Sequence, residues 1–129
     1  MGSPPDIVER LERNLMSLGV YVERHALEDE TLHIEYETSA GGLSKGDLGN
    51  VCSELRAAYQ DGWTPSDCRF WVFDTEWGFH GRWGVDAGWL RALDRDDISE
   101  TDFSTLVLSA RDPAETPPAE LPAFGDSPD

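Results

Sequence analysis

Ile7, Leu11, Leu15 and Leu18 recur every three or four residues, a spacing that puts them on one stripe of a helix. Ser3-Pro4-Pro5-Asp6 supplies its start, with Ser3 as cap, Pro4 at the first helical position and Asp6 returning a carboxylate; Gly19 supplies its stop. From Val20 the period becomes two. Val20, Val22 and Ala26 oppose Glu23 and His25, and beyond the acidic turn Glu28-Asp29-Glu30, Leu32, Ile34 and Tyr36 oppose His33, Glu35 and Glu37. This predicts an antiparallel hairpin with one buried and one wet face. Gly41-Gly42 breaks the chain. Ser44 and Asp47 then predict a capping box, Leu43 and Leu48 a hydrophobic staple, and Leu48, Val51, Cys52, Leu55 and Tyr59 a second amphipathic helix ending at Gly62.

A third strand is expected from Cys68 to Asp74 and a fourth from Phe79 to Asp86, joined by the turn Thr75-Glu76-Trp77-Gly78, in which Gly78 suits a positive-φ position. In the fourth strand Phe79, Gly81, Trp83 and Val85 alternate with His80, Arg82, Gly84 and Asp86. A short helix from Ala87 to Leu93 carries Trp89, Leu90 and Leu93 inward. Ile98 to Phe103 repeats the staple-and-box pattern for a last helix, lined by Phe103, Val107 and Ala110. Ten of the residues from Asp112 to Asp129 are proline, aspartate or glutamate without apolar period, as in a disordered tail. The order α-β-β-α-β-β-α-α predicts one α+β domain over residues 1–111, a two-layer sandwich of a four-stranded antiparallel sheet with helices on one face, followed by the tail at 112–129.

The third strand departs from the simple pattern. Cys68, Phe70 and Val72 fit a buried face, but the opposite face carries Trp71 and Phe73. All five tryptophans fall between Trp63 and Trp89, so this stretch is expected to build the core and an interface. Trp71 and Phe73, with Arg69 and Arg82 beside them to stack on the rings and Trp77 in the adjoining turn, are the candidate interface residues. Burial within the monomer, under Trp63 and the arginine stems, is the competing reading.

Composition narrows the partners. Aspartate and glutamate number 26 against 10 basic residues, a net charge of −16, and Lys45 is the one lysine. With 39% hydrophobic residues this is a folded acidic chain suited to concentrated salt, where screening over about 3 Å removes most self-repulsion. Nucleic acid and anionic membranes would be repelled, so neither is expected as a partner. No apolar run could span a bilayer and no signal peptide is legible, which makes a cytoplasmic location the expectation.

Chemistry-bearing motifs are sparse. Cys52 and Cys68 match no paired zinc spacing and read as buried thiols, a disulfide or a zinc site with His80 being the alternatives. No metal and no cofactor is expected. His25, His33 and His80 fall on the polar faces of their strands. The alternative functional site is Asp74, Glu76 and His80 at the second hairpin's tip, with Arg82 for an anion, in a small-molecule binder or hydrolase.

Trp83-Gly84-Val85-Asp86-Ala87-Gly88-Trp89, then Asp97-Ile98-Ser99-Glu100, then Phe103-Ser104 and Val107-Leu108 follow a recognisable sequence. In this closing segment, and in its acidic α-β-β-α-β-β unit, the span from Ile7 to Ala110 resembles small haloarchaeal domains of unknown function. Many such relatives carry a lipoprotein-type leader, which is not seen ahead of the first helix here. The resemblance rests on core and capping residues and implies no activity. From the two-sided aromatic character of the third strand and the lack of a catalytic motif, the expectation is a non-enzymatic interaction or regulatory domain of a halophilic archaeon, homodimeric or bound to a protein partner. A scaffold or virion-associated protein is a further alternative.

Overall fold

The backbone of residues 4–40 and 42–114, with side chains from Ile7 onward, is described in a computed structural model of the chain. Helix α1 (Pro4–Leu15) buries Ile7, Val8, Leu11 and Leu15. Leu18, expected on the same stripe, is 50% exposed, because Met16–Leu18 tighten into a 3₁₀ turn whose three-residue period rotates it off the face. That turn ends at Gly19, φ 86°. The expected cap at Ser3 and the carboxylate of Asp6 lie outside the described residues.

Strands β1 (Val20–Glu28) and β2 (Thr31–Thr38) form the first hairpin, and helix α2 (Lys45–Gln60) follows. Ser44 Oγ caps α2 by accepting from Asp47 N–H at 3.1 Å. The returning half of the expected box is diverted: the Asp47 carboxylate accepts from the buried Thr38 hydroxyl, which itself accepts from Ala40 N–H. Strands β3 (Asp67–Asp74) and β4 (Phe79–Val85) make the second hairpin, and helices α3 (Ala87–Asp94) and α4 (Glu100–Ser109) close the core. At α4 the box is complete in both directions between Ser99 and Asp102.

The strands lie in the order β1-β2-β3-β4-β5, and two features differ from a four-stranded antiparallel sheet. First, β2 and β3 are parallel, in continuous register from Thr31↔Asp67 to Thr38↔Asp74. Helix α2 carries the chain back to the end where β2 began, so β3 starts beside the start of β2, as in any strand–helix–strand crossover. Second, Asp112–Pro113 form a short β5, pairing with Arg82 and Gly81 at the β4 edge. These two residues belong to the stretch read as tail; residues 115–129 lie outside the described ones.

All four helices feed one core, in which Leu11, Leu55, Leu90 and Phe103 meet Ile34, Phe70 and Trp83 from the sheet. At its centre the Trp83 ring stacks on Phe70 with centroids 4.3 Å apart, and Trp83 Nε1 donates to the Tyr36 hydroxyl at 2.9 Å. Trp63 belongs to this core and does not cover Trp71. Among the described residues, no helix is long and apolar enough to cross a membrane.

Two bulges reassign side chains between faces. In β1 the register slips between Val22 and Arg24, so His25 stands opposite Ile34 on the helix side and Ala26 opposite His33 on the outer face, the reverse of the simple alternation. In β4 an extra residue lies between Phe79, opposite Phe73, and Gly81, opposite Val72. Phe79 therefore leaves the face of Trp83 and joins Trp71 and Phe73. Gly81, at φ 129°, adopts a backbone that side chains resist and leaves room for β5, since a Cβ there would stand 2.4 Å from Asp112 O.

Candidate functional site

The outer face of the sheet carries no helix among the described residues, because every helix turns its buried side chains to the other side. Register assigns to it Tyr21, Arg24 and Ala26 from β1, His33, Glu35 and Glu37 from β2, Arg69, Trp71 and Phe73 from β3, and Phe79, Arg82 and Gly84 from β4.

Trp71 lies at the middle of this face and is only 4% exposed, although among the described residues no helix covers it. Its roof is made of neighbouring side chains. The Arg82 guanidinium sits 5.5 Å from the ring centroid, Phe79 lies 6.5 Å away, and the indole Nε1 donates to His33 Nδ1 at 3.3 Å. An indole nitrogen can only donate, so His33 Nδ1 accepts and its proton sits on Nε2. Burial, assisted by Arg69 and opposed by Glu28, holds His33 below the ordinary histidine range. Beside Trp71 the fully buried Glu35 pairs with Arg24 from the edge strand. Burial, then Glu37 and Glu35, push the Glu23 carboxyl up.

Toward the hairpin tip the face opens. Phe73 is half-buried against Phe79 at 5.1 Å and Trp77 at 5.7 Å, and Trp77 is 54% exposed. Tyr21, at 38%, lies on the same face across the sheet. At the opposite end a hollow of about 530 Å³ is lined by Trp71, Arg69, Arg82, Gly84, Trp89 and Asp112, among others. Gly84 is needed there because a Cβ would stand 2.6 Å from the Cys68 carbonyl oxygen, with the Arg69 side chain also lying across it at 2.8 Å. Both arginines are already paired, Arg69 with Asp86 and Arg82 with Asp112, each at 3.1 Å.

The five candidate interface residues thus share one region but not one role. Trp71 is buried under Arg82, Arg69 and Arg82 border the hollow, and Phe73 and Trp77 provide the accessible apolar surface. Phe79 and Tyr21 join them without having been singled out from sequence. The signal for Phe79 was Gly81 within a strand, a mark of a bulge; nothing in the local sequence distinguishes Tyr21.

At the tip, Asp74 and His80 come together and Glu76 does not. Asp74 Oδ1 accepts from Glu76 N–H and Gly78 N–H, both at 2.8 Å, and Oδ2 meets His80 Nε2 at 2.9 Å. His80, then the two N–H groups, draw the Asp74 carboxyl below its usual range. The carboxylate thereby holds the turn, while Glu76 is exposed. The positive φ falls on Trp77, at 66°, and not on Gly78. Gly78 is required for space, since its Cβ would stand 2.8 Å from Asp74 Oδ2.

Cys52 and Cys68 are free thiols, each pushed up to about 12 by burial. Among the described residues no three His, Cys, Asp or Glu side chains converge on a point where a metal would sit.

Comparison with curated proteins and with solved structures gives no match. Residues 1–117 match a family model described as a domain of unknown function, DUF8159, and the chain belongs to that family.

Proposed function

We propose that this chain is a non-enzymatic protein-interaction or regulatory domain of a halophilic, archaeal cytoplasm, acting through the outer sheet face at the tip of the second hairpin. A second copy of the chain or another protein would bind there. The observation that carries this reading is the continuity between a buried anchor, Trp71, and an accessible ring, Trp77, on a face that no described helix covers. Aromatic rings held rigidly beside arginine are the composition in which interface centres are enriched. Trp77→Ser and Tyr21→Ser remove exposed rings and leave the Trp71 packing in place. Mass by light scattering in molar KCl, with a pull-down in the same salt, tests the proposal. Loss of dimer mass or of a captured partner supports it; unchanged monomeric mass and unchanged capture refute it.

A second reading, a small-molecule binder or hydrolase, has one observation behind it. The Asp74–His80 pair lies beside a hollow of about 440 Å³ lined by His80, Leu43, Leu108, Arg111 and Pro113. Ester hydrolysis that His80→Gln abolishes would favour it. Hydrolysis absent from the wild type, or unchanged in the variant, would dispose of it.

A further inference from the structure

On α2, Lys45, Gly49, Cys52 and Arg56 follow one another at helical spacing, a line of about 16 Å at 1.5 Å per residue. They face Phe103, Ser104, Val107 and Leu108 of α4 across a hollow of about 400 Å³, within the range of small-molecule sites. The lining is chiefly apolar. Its charged members are Lys45, Arg56 and Glu100, a positive balance on a chain of net charge −16.

Arg56 is incompletely satisfied. Its Nη1 donates to Glu100 Oε2 at 2.8 Å, while Nε is shut away from solvent with no hydrogen-bond partner. Buried donors are nearly always paired, so this one needs an explanation. Among the described residues Nη2 has no bond either. Nε and Nη2 together form the edge of a guanidinium that takes a carboxylate in two parallel hydrogen bonds. The Arg56 side chain is about one third exposed and lines the hollow, so seating a carboxylate on this edge requires the guanidinium to turn toward it.

We propose that the α2–α4 groove binds a single-chain amphiphile with a carboxylate head, the carboxylate seated on the Nε–Nη2 edge of Arg56 and the apolar chain lying along Cys52, Leu48, Phe103 and Val107. A hollow of about 400 Å³ is the size of a small-molecule site, which a single chain suits. Gly49 opens the middle of the groove, since a Cβ there would meet no atom within 4 Å.

The test uses the full chain in molar KCl with octanoate, and octanol and an acidic amphipathic peptide as comparisons. Binding is read by calorimetry and by protection of Cys52 from N-ethylmaleimide, which reports this groove because Cys68 is 0% exposed. Octanoate is expected to bind and slow Cys52 labelling. Arg56→Lys, which keeps the charge but loses the two-point edge, is expected to weaken it about tenfold. Gly49→Leu, which fills the hollow and leaves Arg56 intact, is expected to abolish it. The proposal is overturned if octanoate neither binds nor protects, if octanol protects as well as octanoate, if Arg56→Lys binds normally, or if only the peptide protects.

Discussion

Replacing Tyr36 by phenylalanine probes the centre of the core with almost no change of shape. Tyr36 and Trp83 are each 1% exposed, so no solvent can take the place of the lost hydroxyl. The substitution leaves Trp83 Nε1–H buried without the acceptor it now has at 2.9 Å. Stranding a buried neutral donor costs about 1–3 kcal/mol, and the ring is retained, so the expected loss is about 2 kcal/mol. For a domain of this size that lowers the melting temperature by roughly 8 °C, at about 4 °C per kcal/mol. Trp83→Phe alone removes the donor but also part of a ring stacked on Phe70, and opens a cavity. In the double variant no donor is stranded, so the losses should add to less than their sum by about 1–2 kcal/mol. Burial raises the Tyr36 phenol far above neutrality, so the cycle should not vary with pH between neutrality and mild alkali. Thermal denaturation followed by near-ultraviolet circular dichroism in molar KCl measures all four proteins. A Tyr36→Phe variant within about 0.5 kcal/mol of wild type would refute the reasoning, because the indole N–H would then have another acceptor.

Three further outcomes are expected. His33 has its pKa lowered by burial, so the folded state binds the proton less readily than the unfolded chain; its contribution is present above the unfolded value of 6.5 and is lost as pH falls through the folded value. The slope of stability against pH below 6.5 should accordingly flatten in His33→Gln, and an identical slope would exclude His33 as its source. Gly81→Ala forces a Cβ against Asp112 O and should detach β5, read as faster tryptic cleavage after Arg111 in limited proteolysis, with an unchanged rate counting against the bulge geometry. Ser99→Ala removes one half of the only box completed in both directions among the described helices and should cost about 1 kcal/mol in the same denaturation assay, against no loss if α4 is held by packing alone.

The helices were legible because their signals are local. Ser44 and Ser99 accept the bonds that their positions foretell, and Leu48, Val51 and Leu55 are buried as their spacing requires. The α+β character followed from the change of period at Val20. The parallel seam was not legible, since the same alternation of Leu32, Ile34 and Tyr36 serves a parallel neighbour as well as an antiparallel one; only the intervening helix hints at a crossover. Bulges defeat period-two reading because one inserted residue exchanges the faces beyond it, which is how Ala26 and Phe79 reached the outer side. At the tip, Gly78 was rightly marked as constrained but for another reason: a carboxylate fills the space where its side chain would be. The burial of Trp71 depends on Arg82 and His33, which arrive from two other strands, and no local spacing encodes that meeting.

The parallel seam between β2 and β3 also sets the order in which the chain can assemble. Each hairpin closes through a short turn and involves neighbours in sequence, the kind of event that takes microseconds. The seam pairs Thr31 with Asp67 and Thr38 with Asp74, residues separated by the whole of α2, so its contacts reward the chain only after a long loop has been closed. Ile34 and Phe70, partners across that seam, are both buried in the core, so zipping the two hairpins and forming the hydrophobic centre are one event. Folding speed in this protein is thus governed at the middle of the sheet, where the two hairpins meet, and not within either hairpin.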